Sequence, residues 1–377
     1  MVAGARLPRP HPLSSKALRR AINLHEKAVT AREAGRFASA ERMIRRSIPL
    51  YAGVEGPRHP DVANAWFELG QLRELRDDLE DAARCFRRAH AILRRRVDEQ
   101  DADIVRLQIR VRRFLGGVLR AQGRNSAADR TLSRALDDST ARLGSRDLET
   151  AAVLNHLGML RKYQGRFSEA AGFYRRACAI VAGSPERRGQ AAATLAHNLG
   201  GLEHARGRFA RGEPHARRSV ELREALLGKN HPTVAADVAA LAALVEGRGR
   251  LDEAAALYRR ALGIFRRRLG PASSEVSFTL CALGGIRQAQ GRLASAEGLI
   301  RRALAIQEAI YGRRHPEVAL TVNNLGVLSA ERGRPADAIA LCRRALAIFR
   351  RAYGRRHPHT RQCEANLGQI ERRRARP

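Results

Sequence analysis

The sequence predicts an all-α protein, a tandem array of about eight antiparallel helix pairs followed by one further helix at the C-terminus. Three observations carry this. The residues that follow Gly-Arg or its equivalent, Phe37, Leu79, Asn125, Phe167, Phe209, Leu251, Leu293 and Pro335, are spaced by 42 residues except for one step of 46. His-Pro recurs at His59, His231, His315 and His357, and its long gap is four periods plus the same four-residue insertion. Within each period the apolar residues show helical spacing twice, and no segment shows strand alternation.

Residues 1–14, with three prolines, read as a disordered tail. Units follow at about 15–56, 57–98, 99–144, 145–186, 187–228, 229–270, 271–312 and 313–354, and residues 355–377 form the unpaired C-terminal helix. Unit 8 shows the logic. After His315-Pro316, residues Val318, Val322, Leu325 and Leu328 share one face of a first helix that ends at Gly333, a residue suited to a left-handed cap. Pro335 sits where a first-turn proline is tolerated. The second helix carries Ala338, Leu341, Cys342, Ala345, Leu346, Ile348 and Phe349, a face wide enough to touch its own partner and the next unit, and it stops at Gly354. Three units depart from the pattern: unit 1 has Ala28 and Ser47 in framework positions, unit 5 has Gly212 and Ser219, and RRRVDEQDADIV carries the insertion ahead of unit 3. These units are expected to be looser or kinked.

Small residues recur at spacings of twelve and then seven, as Gly70-Ala82-Ala89, Gly116-Ala128-Ala135, Gly158-Ala170-Ala177, Gly284-Ala296-Ala303 and Gly326-Ala338-Ala345, each set preceded by a leucine. A larger side chain there would push two helices apart. This framework resembles the tetratricopeptide repeat over about residues 15–377. The longer period, with LGKNHPTVA, YGRRHPEVA and YGRRHPHTR between units and LNHLG and VNNLG in first helices, resembles the 42-residue units of kinesin light chains, an array that bacterial proteins also carry. The resemblance implies a right-handed superhelical solenoid whose first helices line a concave groove that binds peptides or partner proteins.

The net charge is +32, carried by arginine, since Lys16, Lys27, Lys162 and Lys229 are the only lysines. An Ala- and Arg-rich, Lys-poor chain is what a GC-rich genome writes on any solvated helix face. It is also what an acidic partner or nucleic acid would attract. The pairs Arg45-Arg46, Arg87-Arg88, Arg175-Arg176, Arg217-Arg218, Arg259-Arg260, Arg301-Arg302 and Arg343-Arg344 lie opposite the apolar face of each second helix. They read as a solvated ladder helped by pairs such as Glu297 with Arg301. Five cysteines without C-x-x-C or metal-ligand spacing argue against a disulfide framework or zinc site. With no apolar h-region and no eighteen-residue apolar run, the expected location is cytoplasmic.

Groove-facing positions, counted from the framework glycine, place Arg106, Arg110, Arg113 and Arg120 on one stripe of unit 3. Asn155 and Lys162 follow, then His197 and His204, the small or apolar Ala239, Ala243, Cys281 and Gly285, and polar Asn323. Such a groove suits an extended acidic peptide, with guanidinium forks on carboxylates and amides on the peptide backbone. The same arginines are within reach of Asp101, Asp103 or Asp147 on adjacent helices, which is the competing reading. His197 and His204 lie seven apart but without a carboxylate or cysteine beside them, so no metal is assigned. No phosphate loop, G-x-S-x-G or H-E-x-x-H occurs, and Cys178 and Cys342 sit in framework core slots. The expected function is a non-enzymatic scaffold without cofactor that binds an acidic protein segment. A basic solenoid binding nucleic acid is the alternative, against which Phe86, Tyr174 and Tyr258 occupy core slots and leave few stacking platforms.

Overall fold

A computed structural model of the protein describes residues 16–33, 36–94, 101–184 and 188–374. Among the described residues there are seventeen helices and no strand. The described residues group into two compact parts, divided between Leu195 and Ala196. The first holds α1 (Lys16–Glu33), α2 (Phe37–Glu55), α3 (Pro60–Glu74), α4 (Leu79–Leu93), α5 (Ala102–Ala121), α6 (Asn125–Arg142), α7 (Leu148–Tyr163) and α8 (Phe167–Ala182). The boundary falls within α9 (Arg188–Ala205). The second part continues with α10 (Phe209–Leu227), α11 (Pro232–Gly247), α12 (Leu251–Leu269), α13 (Ser274–Ala289), α14 (Leu293–Tyr311), α15 (Pro316–Glu331), α16 (Pro335–Tyr353) and α17 (Pro358–Arg374). The eight residues that mark the period are the first residues of the even-numbered helices.

Both repeated dipeptides are helix punctuation. In Gly-Arg, the glycine takes a left-handed conformation and the next amide reaches back along the helix: Gly333 has φ +72°, and the Arg334 N–H donates to the Ser329 carbonyl at 2.9 Å. That is the bond pattern that satisfies the last carbonyls of a helix. In His-Pro, the proline opens the helix without an orphan donor, and the histidine caps it. His59, His231 and His315 accept through Nδ1 from the amides of Asp61, Thr233 and Glu317 at 3.2–3.3 Å. Asp101 and Asp147 do the same for α5 and α7, accepting from Asp103 and Glu149 at 2.9 and 2.8 Å.

The four-residue insertion is absorbed as helix. Whereas α3 and α7 start ten residues ahead of Gly70 and Gly158, α5 starts fourteen ahead of Gly116, one extra turn. Residues 95–100 of the inserted stretch, the tail at 1–14 and the final three residues lie outside the described residues.

Close approach explains the framework glycines. A Cβ on Gly158 would lie 2.5 Å from the Tyr174 ring, one on Gly70 2.5 Å from the Phe86 ring, and one on Gly326 2.7 Å from the Cys342 sulfur. The framework alanines, among them Ala82, Ala135, Ala170 and Ala303, are fully buried. The departing residues of units 1 and 5 are packed. Ser47 and Ser219 are fully buried, their hydroxyls donating to the Ile44 carbonyl at 2.9 Å and the Asp237 carboxylate at 2.7 Å, and Ala28 is buried as well. A Cβ on Gly212 would meet Leu244 at 2.5 Å. Their helices α2 and α10 do carry interior prolines, Pro49 and Pro214, each of which removes one ladder donor. At the C-terminus, Cys363 and Ile370 of α17 are buried beside α16, with the Cys363 thiol 3.4 Å from the Cys342 carbonyl.

The junctions between units alternate in kind. The fifth residue of each second helix reads Glu41, Ala83, Asp129, Ala171, Glu213, Ala255, Glu297 and Ile339, acidic in odd units and apolar in even ones. Glu41, Glu213 and Glu297 are buried despite their charge. Each is met by arginines of the next unit: Glu41 by Arg73 and Arg76, Asp129 by Arg161 at 2.8 Å, Glu213 by Arg248 and Arg250, and Glu297 by Arg332 and Arg334. Units 2 to 3 and 6 to 7 are instead joined by apolar packing and amide bonds, Gln122 to the Leu79 carbonyl and Gln108 to the Leu93 carbonyl at 3.1 Å each, and Gln290 to Asp252 at 2.8 Å. The structural repeat within each part is therefore two helix pairs, about 84 residues, with an ionic seam inside.

Candidate functional site

The first-helix stripe of unit 3 lies along α5 and faces α7. Arg106 donates to Asp147, the cap of α7, at 3.1 Å, and is also 3.9 Å from Asp103. Arg110 Nε donates to Glu149 at 2.5 Å, while Arg113 stands 3.7 Å from the same carboxylate and 3.3 Å from His156 Nε2, with its guanidinium over the Phe114 ring. Three of the four arginines thus have carboxylates across the helix pair. Asp101 is occupied with capping α5 itself.

Arg120, two turns further along α5, is different. It makes no side-chain hydrogen bond or ion pair among the described residues, and its guanidinium lies 6.0 Å over the exposed Tyr163 ring. Lys162, beside that tyrosine on α7, is likewise without an anionic partner among the described residues. Burial and then Arg120 hold the Lys162 ammonium below its ordinary range, and burial, Arg113 and Arg120 push His156 well below the usual imidazole range. The carboxylate on the other side is Glu74 of α3, which burial raises to about 7 against the pull of Arg113 and Arg120. This face thus brings together two cations, a neutral imidazole and a carboxyl that burial makes reluctant to ionise. Tyr163, His156 and Glu74 do not stand out in the sequence, where nothing local says that they converge.

Asn155 is buried on α7, its amide 3.9 Å from the Met159 sulfur. In the second part, His197 is tied to Asp237 at 2.7 Å, a buried carboxylate that also takes Ser219 and Arg223 at 2.7 Å each. His204 is exposed and packs edge-on against Phe209, with centroids 5.4 Å apart, so the two histidines serve different neighbours. Ala239, Ala243 and Cys281 are half-buried against the core, Cys281 lying 3.4 Å from the Thr321 hydroxyl; a Cβ on Gly285 would meet nothing within 4 Å, and Phe278, two turns earlier on α13, is exposed. Asn323 accepts from Asn366 of α17 at 3.3 Å. No group of three metal-ligating side chains occurs among the described residues. Cys342 is fully buried and Cys178 half-buried, and burial raises both thiols.

The arginine pairs of the second helices are exposed, except for half-buried Arg344, and several run in surface ladders. Arg301 pairs with Glu297 at 2.8 Å and Arg217 with Glu213 at 2.7 Å, both one helical turn apart. In both pairs the arginine is exposed while the glutamate is the buried one of the ionic seam. Phe86, Tyr174 and Tyr258 are all buried, as their core spacing requires. No helix among the described residues is long and apolar enough to cross a membrane.

No curated protein matches the chain. Solved structures do. A putative kinesin light chain from Podosopora anserina with nearly identical TPR-like repeats is 20% identical, covering 48% of this chain and 87% of that one, with a TM-score of 0.42. A signal transduction ATPase with numerous domains and a tetratricopeptide repeat sensor, from Pyrococcus horikoshii, is 15% identical over 95% of this chain and 50% of its own, with a TM-score of 0.57. A Rap protein complexed with Competence and Sporulation Factor is 14% identical, covering 94% and 98% of the two chains, with a TM-score of 0.55. The last two share the fold at an identity too low to carry function. Tetratricopeptide repeats are matched at residues 19–95, 107–182, 191–267, 275–341 and 319–377, and the first four stretches each span one odd-even pair of units. With helix pairs, framework and family match in agreement along most of its length, the chain belongs to the tetratricopeptide repeat family.

Proposed function

We propose that the protein is a non-enzymatic interaction scaffold in the cytoplasm, and that it takes an acidic protein segment on the first-helix face of α5 and α7. The observation that carries this reading is the pair of cations, Arg120 and Lys162, on adjacent helices beside the exposed Tyr163 ring, neither in an ion pair among the described residues. Arg106, Arg110 and Arg113 contribute second hydrogen-bonding edges, their first being committed to Asp147 and Glu149. Asn155, two turns before Lys162 on α7, is buried beneath this face. In the second part, His197, His204 and Asn323, with Phe278 and the open space at Gly285, offer polar and apolar contacts to a separate stretch of extended chain.

The test is binding of a labelled Asp/Glu-rich peptide with interspersed leucines at near-physiological salt. Replacing Arg120 and Lys162 together by Ala should weaken it by about 1.5–3 kcal/mol for each charge-assisted hydrogen bond removed. Replacing Arg259 and Arg302, which are exposed and make no ion pair among the described residues, removes the same charge and should cost well under about 1 kcal/mol. Changing Arg110, Arg113 and Arg120 together should abolish binding, provided the variant stays helical, because Arg110 and Arg113 also join α5 to α7. Equal losses from the two double variants, fading together as salt rises, would overturn the reading and make nucleic acid the next ligand to try.

A further inference from the structure

A cavity of about 380 Å³ lies between α2, α3 and α4, apart from the face of α5 and α7. Its apolar lining is Ile48, Leu69, Cys85 and Trp66, the one tryptophan of the chain. Its charged lining is four guanidinium groups, on Arg45, Arg73, Arg84 and Arg88, against the single carboxylate of Asp81. The volume falls in the range of small-molecule sites.

The cations differ in how they are held. Arg73 is pinned by Glu41 at 2.5 Å and Asp78 at 3.0 Å, with little exposure, so its position is set before any ligand arrives. Arg45 shares Glu41 at 3.0 Å, and Arg84 pairs with Asp81; both are largely exposed. Arg88 has no carboxylate among the described residues and lies 4.5 Å over the Trp66 ring. All four act on the floor, since each opposes the rise that burial imposes on the Cys85 thiol.

Arg45 and Arg88 belong to the repeated arginine pairs and recur as Arg217 and Arg260 and as Arg301 and Arg344, but Trp66, Arg73 and Arg84 are peculiar to this junction among the three that hold a buried glutamate. At the corresponding junction of units 5 and 6, Val238, Val245 and Ala256 stand where Trp66, Arg73 and Arg84 stand here, and at units 7 and 8 the residues are Val322, Ser329 and Ala340. Both of those junctions keep the buried glutamate and its arginines, so the ionic seam does not need an indole or the extra guanidiniums.

We propose that this cavity is a binding site for a small organic oxyanion, a phosphate or carboxylate carried on a flat apolar body. The head group lies among Arg45, Arg84 and Arg88, whose forks match two oxygens at once. The body rests on Ile48, Leu69 and the free edge of Trp66.

Trp66 supplies the readout, because all indole emission of the full chain comes from this one residue of the lining. Phenyl phosphate, benzoate, inorganic phosphate and phenol are each titrated at constant ionic strength. Phenyl phosphate or benzoate should give a saturable change, and the tighter of the two identifies the head group. Inorganic phosphate, without the ring, and phenol, without the oxyanion, should bind at least about tenfold more weakly. Arg45→Gln and Arg84→Gln, which leave the indole's own contacts intact, should each weaken binding about tenfold or more, and Arg259→Gln should change nothing. Arg88→Gln alters the surroundings of Trp66, so its affinity is read by calorimetry, with the same weakening expected. Responses that stay linear and alike for all four compounds, or Arg45 and Arg84 variants that bind as the parent does, would overturn the proposal.

Discussion

Replacing Glu213 by Gln should loosen the junction between α10 and the α11–α12 pair by about 2–3 kcal/mol at pH 7, and by progressively less in acid. Burial pushes the Glu213 carboxyl up, but hydrogen bonds from Arg248, Arg217 and Arg250 more than reverse this and hold it at about 2, against an ordinary 4.5. That gap corresponds to roughly 3.4 kcal/mol of preference for the ionised form. The three arginines keep about two-fifths of their side-chain surface in water, which screens part of it. The folded-state value lies below the unfolded one. The contribution is therefore complete above about pH 4.5 and lost as pH falls towards about 2, with less than about half remaining at pH 3. Native-state hydrogen exchange of α11 and α12, corrected for intrinsic rates at each pH, reads the opening free energy of this junction without assuming that the whole array unfolds in one step. A penalty equal at pH 7 and pH 3, or one below about 0.5 kcal/mol at pH 7, would refute the ionic seam.

Gly158→Val should cost about 1–3 kcal/mol in the same measurement on α7 and α8, because its side chain would enter the Tyr174 ring. Gly298→Ala, where a Cβ meets open space within α14, should stabilise by about 0.5–1 kcal/mol. His25 and His90 are held at about 4, first by burial, then by Arg32 for His25 and by Arg112 and Arg94 for His90. Their folded values lie below the ordinary 6.5, so stability is full above that pH and falls as pH drops towards 4. Exchange from α1, α2 and α4 should accelerate over that window beyond the intrinsic trend, and no change would count against their burial as neutral rings. Burial, and then Cys342 and Glu364, push the Cys363 thiol up to about 12, so iodoacetamide at about pH 8 should label it slowly in the native protein and readily in urea.

Much of the architecture is carried by local chemistry and was legible residue by residue. Gly-Arg ends a helix because only glycine enters the left-handed region cheaply, and His-Pro starts one because its ring nitrogen and missing amide suit a helix N-terminus. The small residues at Gly158, Ala170 and Ala177 report close helix approach because nothing larger fits. The two-pair alternation is also written in the chain, at Glu41, Asp129, Glu213 and Glu297. It escapes a local reading, since one acidic residue on a polar-looking helix turn is indistinguishable from a solvated one until the next unit covers it. The same holds for the stripe of α5. Helical periodicity puts Arg106, Arg110, Arg113 and Arg120 on one face, but only the packing of α7 against it decides that the first three meet Asp147 and Glu149 while Arg120 meets a tyrosine ring. Periodicity constrains neighbours along a helix, a few ångströms and a few residues apart. Whether a charge is matched depends on side chains some forty residues away in sequence, and that distance is set by tertiary packing alone.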